Sequence, residues 1–260
     1  MNKYTLITGA SSGLGLELAK LLAKDSNNLL LISSSEQRLL IAKEEIAKES
    51  NVDIKTLALD LTSRDNLKKV KEYTDSHNMF ISILINCAGF GDRTDFCEMD
   101  INKQLQMVEL NCNAPMYLMN VYLHDMLSHN EGHILNISSI AAFVPGPYMS
   151  TYHASKAFLT NLSEGIAREL KGTKVKLTVV NPGPFESGFV KKAGNEYTFS
   201  KIKPMTIEKV ALISYKCLKK GKSFKVIGFK NKLMMFLTRF VPRKLVTNTS
   251  ANQIKNKAQQ

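Results

Sequence analysis

Tyr152 and Lys156 stand four residues apart. On a helix that spacing puts both on one face. An ammonium beside a phenol stabilises the phenolate and lowers a pKa that is ordinarily about 10. Such a pair can donate and accept a proton near neutral pH. Ser139 lies thirteen residues before Tyr152, where Ser138-Ser139 closes an apolar run. A hydroxyl there can hydrogen-bond a substrate carbonyl and the oxyanion that develops from it. A different chemistry belongs to Thr8-Gly9-Ala10-Ser11-Ser12-Gly13-Leu14-Gly15. Its glycines let the backbone turn tightly and approach a pyrophosphate, and the N–H groups of a following helix favour the anion. The spacing is Gly-x3-Gly-x-Gly rather than the better-known Gly-x-Gly-x2-Gly. Asn111 falls inside a long helical pattern, where Asn is a mediocre helix former. It reads either as a kinked turn that places a water or as a solvated position. Each signal alone also has a plain structural reading: a strand-to-helix turn, an amphipathic helix face, a serine at a strand end.

The elements that must position these residues follow from periodicity. Tyr4 leads an apolar strand into the glycine turn, and Leu14, Leu18, Leu21 and Leu22 continue at helical spacing. Further strands are expected at Asn28–Ser33, Ile54–Leu59, Ile81–Ile85, Gly132–Ile137, Val175–Val180 and Phe224–Phe229. Helices are expected over Arg38–Glu49, Asp65–Ser76, Ile101–Ser128, Ser150–Lys171 and Met205–Lys219. Continuous apolar strands alternating with helices predict an α/β fold: a single-domain, doubly wound parallel sheet of about seven strands. The glycine turn, Ser33–Ser35, Asp60, Asn86–Gly89, Ser138–Ser139 and Pro182–Ser187 all follow strands, so they should converge on one groove.

Composition narrows the classes. The chain has 260 residues, ample for a sizeable core, and a net charge of +12. From Gly221 to Gln260 there are nine Lys or Arg and no acidic residue, leaving 26 basic against 23 acidic groups before it, a net of +3. That distribution argues against a nucleic-acid-coating protein and for one basic element with its own role. No run of about 18 apolar residues offers a spanning helix. No secretory signal is read at the start, and Cys87, Cys97, Cys112 and Cys217 have neither metal-like nor CxxC spacing. A cytoplasmic protein with reduced thiols is expected.

Taken together and in order, Thr8-Gly9-x3-Gly13-x-Gly15, Asp60, Asn86-x-Ala88-Gly89, Asn111, Ser139, Tyr152-x3-Lys156 and Pro182-Gly183-x3-Ser187 resemble the short-chain dehydrogenase/reductase family over about residues 3–230. The resemblance implies a Rossmann-like catalytic domain over 1–230, with the basic amphipathic extension over 231–260 unusual for the family. It implies an oxidoreductase that interconverts a carbonyl and an alcohol by hydride transfer, with Tyr152 as acid/base. Lys156 would hold the nicotinamide ribose and depress the Tyr152 pKa, Ser139 would hold the substrate oxygen, and Asn111 would position a water that links Lys156 to solvent. Gly9, Ser11, Ser12, Gly13, Leu14 and Gly15 would shape the pyrophosphate site. Asp60 and Leu61 would meet the adenine, Asn86, Ala88 and Gly89 the adenosine ribose, and Pro182, Gly183 and Ser187 the nicotinamide. Departures are few: Cys87 stands where the family usually has a second Asn, Ser187 where Thr is commoner, and the usual glycine-rich end after the last strand is missing. The stretches around Gly89-Phe90-Gly91-Asp92, Pro145-Gly146-Pro147-Tyr148 and Pro182-Gly183-Pro184 look like a largely bacterial subgroup of unassigned substrate. A homodimer or homotetramer is also implied, with the Ile101–Ser128 and Ser150–Lys171 helices at its main interface.

An acid at the end of the second strand would bind a ribose 2′-OH and repel a 2′-phosphate. Ser33 holds that position, followed by Ser34 and Ser35, with Arg38 near. NADP(H) is therefore favoured over NAD(H), although the basic residue that often follows in NADP-using relatives is replaced by Ser34. Phe185, Phe189, Tyr197 and Phe199, with Gly188 and Gly194, read as a mobile lid with apolar contacts. With Phe143, Val144, Pro145 and Met149 they suggest an apolar pocket for a small-molecule carbonyl or alcohol, and Lys191 or Lys192 could meet an anionic one. From Lys230, apolar residues alternate with Lys232, Arg239, Arg243 and Lys244, a basic amphipathic pattern. Such a helix can lie on an anionic membrane, cover the cleft or pack on a second subunit. Asn248 to Gln260 is expected to be frayed. Two rival functions are a dinucleotide-binding regulator without turnover and a membrane-surface reductase of lipid or acyl ketones.

Overall fold

The computed structural model describes residues 2–186 and 204–255. Seven strands form one parallel sheet: β1 (Asn2–Thr8), β2 (Asn28–Ser33), β3 (Ile54–Ala58), β4 (Met79–Asn86), β5 (His133–Ile137), β6 (Lys176–Asn181) and β7 (Phe224–Val226), in the order β3-β2-β1-β4-β5-β6-β7. The chain order reverses between β1 and β4, which places the crevice for a ligand at their carboxyl ends.

Alternate residues of each strand serve opposite faces, as a pleat requires. Leu6, Leu30, Ile32, Leu84, Ile134 and Leu177 pack on one side with Leu67, Leu118, Tyr122 and Leu159. Those come from α3 (Arg64–Ser76), α5 (Ala114–Ser128) and α6 (Ser150–Glu169). Ile7, Leu29, Leu31, Ile85, Leu135 and Val180 pack on the other with Leu18, Leu39 and Val210. Those belong to α1 (Gly13–Lys24), α2 (Glu36–Ala47) and a helix we label α7 (Ile207–Lys219). Burial on both faces explains why β2 reads as a continuous apolar run.

Three expectations change. The strand expected over Phe224–Phe229 ends at Val226, and Phe229 opens a helix instead. The helix expected over Ile101–Ser128 is α4 (Ile101–Val108), a π-helical turn (Glu109–Asn113) and then α5. The tail is two helices, α8 (Phe229–Leu237) and α9 (Arg243–Lys255). The expected fraying does not begin at Asn248: α9 continues past it, held where Ile254 is buried and its carbonyl accepts a hydrogen bond from Arg93. Residues 256–260 lie outside the described residues.

Candidate active site

The glycine turn is held by backbone bonds across the switch point. Gly9 N–H donates to the Ile32 carbonyl at 2.8 Å, and the Thr8 hydroxyl accepts from Cys87 and Ala88 N–H, both at 3.1 Å. Thr8 thus ties the end of β1 to the end of β4, a role that its place ahead of the glycines signals only indirectly. Gly9 has φ +68°, and a Cβ there would sit 2.9 Å from the Ala88 Cα. A Cβ on Gly15 would lie 2.3 Å from the Gly9 carbonyl oxygen. Both positions are closed to a side chain by sterics alone.

The N-terminus of α1 carries no side-chain cap, whereas α2, α3, α4 and α7 are capped by Ser35, Ser63, Asp100 and Thr206. Its first intrahelical bond is Leu16 N–H to the Ser12 carbonyl, so the amides of Gly13, Leu14 and Gly15 precede any helical partner. A cradle without Cβ atoms, beside open N–H groups at a positive helix end, fits a dinucleotide pyrophosphate. Ser11 lines the same turn, half-buried, and Ser12 is exposed.

Next along the carboxyl edge, Ser33 ends β2 half-buried, with its hydroxyl accepting from Ser35 N–H at 3.2 Å. Ser34 and Arg38 are exposed beside it. Asp60 is exposed and accepts from Thr62 N–H at 3.0 Å, while Leu61 is buried in the core. Asn86 is buried, donating to Asn136 at 2.8 Å, and its Oδ1 has no partner among the described residues. Pro182 is buried, and Gly183 is approached by Asn231 of α8, a contact that the tail sequence gave no means of expecting. Ser187 and the expected lid residues Gly188, Phe189, Lys191, Lys192, Gly194, Tyr197 and Phe199 lie outside the described residues.

The catalytic candidates meet where α6 crosses the end of β5. Tyr152 and Lys156 share the inner face of α6, both buried, with Lys156 Nζ 5.9 Å from the Tyr152 ring centre. Lys156 Nζ donates to the Ile137 carbonyl at 3.1 Å. Ser139 hydrogen-bonds the Tyr152 phenol, and its own oxygen accepts from Ala141 N–H at 3.1 Å. Ser138 faces the other way, bonding the Lys156 carbonyl at 3.0 Å and Thr160 at 2.7 Å, so it fixes the wall rather than the cleft. A Cβ on Gly89 would lie 2.9 Å from Asn111 Oδ1 and 3.4 Å from Lys156 Nζ, which puts these three residues at one point.

Asn111 is neither solvated nor free. Its Oδ1 accepts from Phe90 N–H at 3.1 Å, and its Nδ2 donates to the Phe90 carbonyl at 2.9 Å and to Ser155 at 3.0 Å. The π-helical turn widens the helix at this residue, a local distortion that recurs at functional sites.

Burial governs the electrostatics. Met99, Met107, Ala141 and Met149, with Phe90, pack around Tyr152. Taking the phenolate out of water pushes the Tyr152 pKa up to about 12, against which the Ser139 hydrogen bond works. Burial likewise lowers Lys156 to about 8. The depressed tyrosine pKa expected from a neighbouring ammonium is therefore not present in this cleft. The ammonium faces the Ile137 carbonyl, and desolvation of the phenolate outweighs the Ser139 hydrogen bond.

A doubly wound sheet with an anion cradle at its switch point, and a Ser-Tyr-Lys wall beside it, defines a dinucleotide-dependent oxidoreductase. Residues 3–198 match the short chain dehydrogenase family, and the chain belongs to it. It is an enzyme that acts on CH–OH or C=O groups with a nicotinamide cofactor. An uncharacterised oxidoreductase of Staphylococcus saprophyticus is 31% identical over 182 residues, covering 70% of this chain and 78% of that one. Among solved structures, a short-chain dehydrogenase from Sphingobium yanoikuyae in complex with NADPH superposes with a TM-score of 0.81 at 25% identity, covering 94% of this chain and 97% of that one. The bulky-bulky ketone specific alcohol dehydrogenase from Comamonas testosteroni superposes with a TM-score of 0.78, also at 25% identity, covering 92% of each chain.

Proposed function

We propose that the chain is an NADP(H)-dependent reductase of apolar ketones, working reversibly on the corresponding alcohols. The observation that carries this reading is the meeting of Ser139, Tyr152 and Lys156 at the end of β5 inside a methionine-rich wall. When bound, the nicotinamide supplies the hydride in reduction and accepts it in oxidation.

The chain's own residues do the rest. The Ser139 hydroxyl, released from Tyr152 when substrate enters, donates to the carbonyl oxygen and polarises it. Tyr152 holds its proton at neutral pH, because its pKa stands near 12, and delivers it to the oxygen as alkoxide character develops. Lys156, still charged below about pH 8, stabilises the phenolate left behind and binds the nicotinamide ribose. Asn111 pins the Phe90 backbone, and so holds the strand end against which Lys156 lies. The water relay assigned to Asn111 would run through its backbone, since its side-chain amide is taken up by Phe90 and Ser155.

Gly9, Gly13, Gly15 and the amides that open α1 would take the pyrophosphate. Asp60 and Leu61 would take the adenine, Asn86, Ala88 and Gly89 its ribose, and Pro182, Gly183 and Ser187 the nicotinamide. NADP(H) is preferred because β2 ends in Ser33 with no carboxylate to repel a 2′-phosphate, and Arg38 stands one turn into α2. The NADPH bound by the Sphingobium relative supports this reading. A homodimer would cover Phe96, Leu105, Val108 and Phe158, which are exposed apolar residues on or beside α4 and α6. The bulky ketones of the Comamonas relative fit the apolar wall around Tyr152.

The test is a panel of apolar ketones reduced with NADPH and NADH side by side. Turnover with a higher kcat/KM for NADPH is expected. An equal or higher value for NADH would remove the cofactor assignment, and no turnover with either would remove the reductase.

A further inference from the structure

The tail contradicts the ordinary rule for an amphipathic helix, which is that its apolar stripe faces the core. On α8, Phe229, Leu233, Phe236 and Leu237 fall at i, i+4, i+7 and i+8, one face of a 3.6-residue helix. They are 81%, 47%, 51% and 50% exposed. The face that meets the protein is instead Asn231, Met234 and Met235, all half-buried. Asn231 anchors it, donating to the Ile227 carbonyl at 2.7 Å and packing on Gly183 and Gly228. Phe240, 72% exposed, extends the outward stripe and sits edge-on to Phe236 at 5.2 Å.

Charge says what kind of surface the stripe meets. Lys230 borders it on one side and Lys232 on the other, and both are exposed. Arg239, Arg243 and Lys244 follow, also exposed, and no acidic residue occurs after Glu208. A second copy of this tail laid against the first would bring like charges together around the same apolar residues. An apolar layer beneath a sheet of negative charge satisfies both parts at once.

We propose that α8 is a peripheral docking element for an anionic lipid surface, with its phenylalanines and leucines entering the boundary of the acyl region and its lysines and arginines meeting the headgroups. No described helix is long and apolar enough to cross a membrane, so the contact is interfacial. The element also packs on the Ile140–Phe143 turn that follows Ser139, so docking takes place beside the substrate side of the cleft.

The full chain, mixed with vesicles of pure phosphatidylcholine or of phosphatidylcholine with phosphatidylglycerol, tests this by co-sedimentation. Binding to the anionic vesicles alone is expected, falling as salt is raised. Lys230→Gln and Lys232→Gln should each weaken it by about fivefold. Leu233→Ser with Phe236→Ser should abolish it, with turnover of a water-soluble ketone kept as the check on folding. Sedimentation with neither vesicle, or equally with both, would overturn the proposal. So would a loss of oligomer mass in the serine variant without lipid binding by the parent, which would assign the stripe to a second copy.

Discussion

The catalytic wall of β5 and α6 and the tail helix α8 treat their side chains in opposite ways. In the wall, polar groups are buried and partnered within the chain: Lys156 on Ile137, Ser138 on Thr160, Asn111 on Phe90 and Ser155. On α8 the phenylalanines and leucines face outward, and the inner face is anchored by an amide. A region whose partners lie inside the chain is fixed by folding. A region whose apolar face points out is completed by something the chain does not contain. On the readings proposed above, the wall makes chemistry and the tail makes an address.

The sharpest way to break the wall is Tyr152→Phe. Loss of the proton donor should lower kcat by about 10²–10⁴-fold. The dissociation constant for NADPH should hold, since the ring remains; a parallel loss of binding would mean that the wall had collapsed.

Lys156→Met should separate chemistry from stability. A buried lysine with its pKa lowered from 10.5 to about 8 destabilises the fold wherever it is charged, by about 3 kcal/mol when both states are protonated. That penalty is complete below pH 8 and fades as pH rises to about 10.5, where the lysine is neutral folded or unfolded. The methionine variant should thus lose turnover yet unfold at a higher denaturant concentration at pH 7, with the gain gone above pH 10.5. A variant less stable than the parent at pH 7 would show that the Ile137 contact outweighs the buried charge.

Gly15→Ala probes the cradle. Its methyl meets the Gly9 carbonyl at 2.3 Å, so a stability loss of about 2 kcal/mol and a weaker NADPH complex are expected by denaturant titration and cofactor binding. Ser35→Ala, which removes the cap of α2, should cost about 1 kcal/mol and leave kcat in place. The smallest effect belongs to the tail. Phe229→Ser should change stability by less than about 0.5 kcal/mol, because that ring contacts solvent. A much larger loss by the same titration would place the stripe inside a protein interface and erase the contrast with the wall.

The two regions also differ in how far they could be read beforehand. Strand β2 announces itself because burial on both faces leaves Leu29 to Ile32 without a polar interruption, whereas Thr5 and Ser82 break the apolar runs of β1 and β4. Tyr152, Lys156 and Ser139 were legible because helical spacing and strand ends fix where such side chains can go. The electrostatics were not. Spacing puts an ammonium near a phenol, but only packing shows that Met99, Met107 and Met149 strip the water away and raise the phenol's pKa. Asn111 was ambiguous for the same reason, as its partners Phe90 and Ser155 are distant in sequence. The tail's amphipathic period was plain. Which face turns inward depends on Asn231 finding Gly183 and Gly228, a contact that no period encodes.

On the proposed reading, this wall reduces a carbonyl. Product stoichiometry tests it most directly: the parent enzyme, NADPH and an apolar ketone, with alcohol and oxidised cofactor measured together over a time course. One alcohol formed for each NADPH consumed is the expected result. NADPH bound but no alcohol formed from any ketone would contradict it, and the cleft would then be a sensor of the dinucleotide.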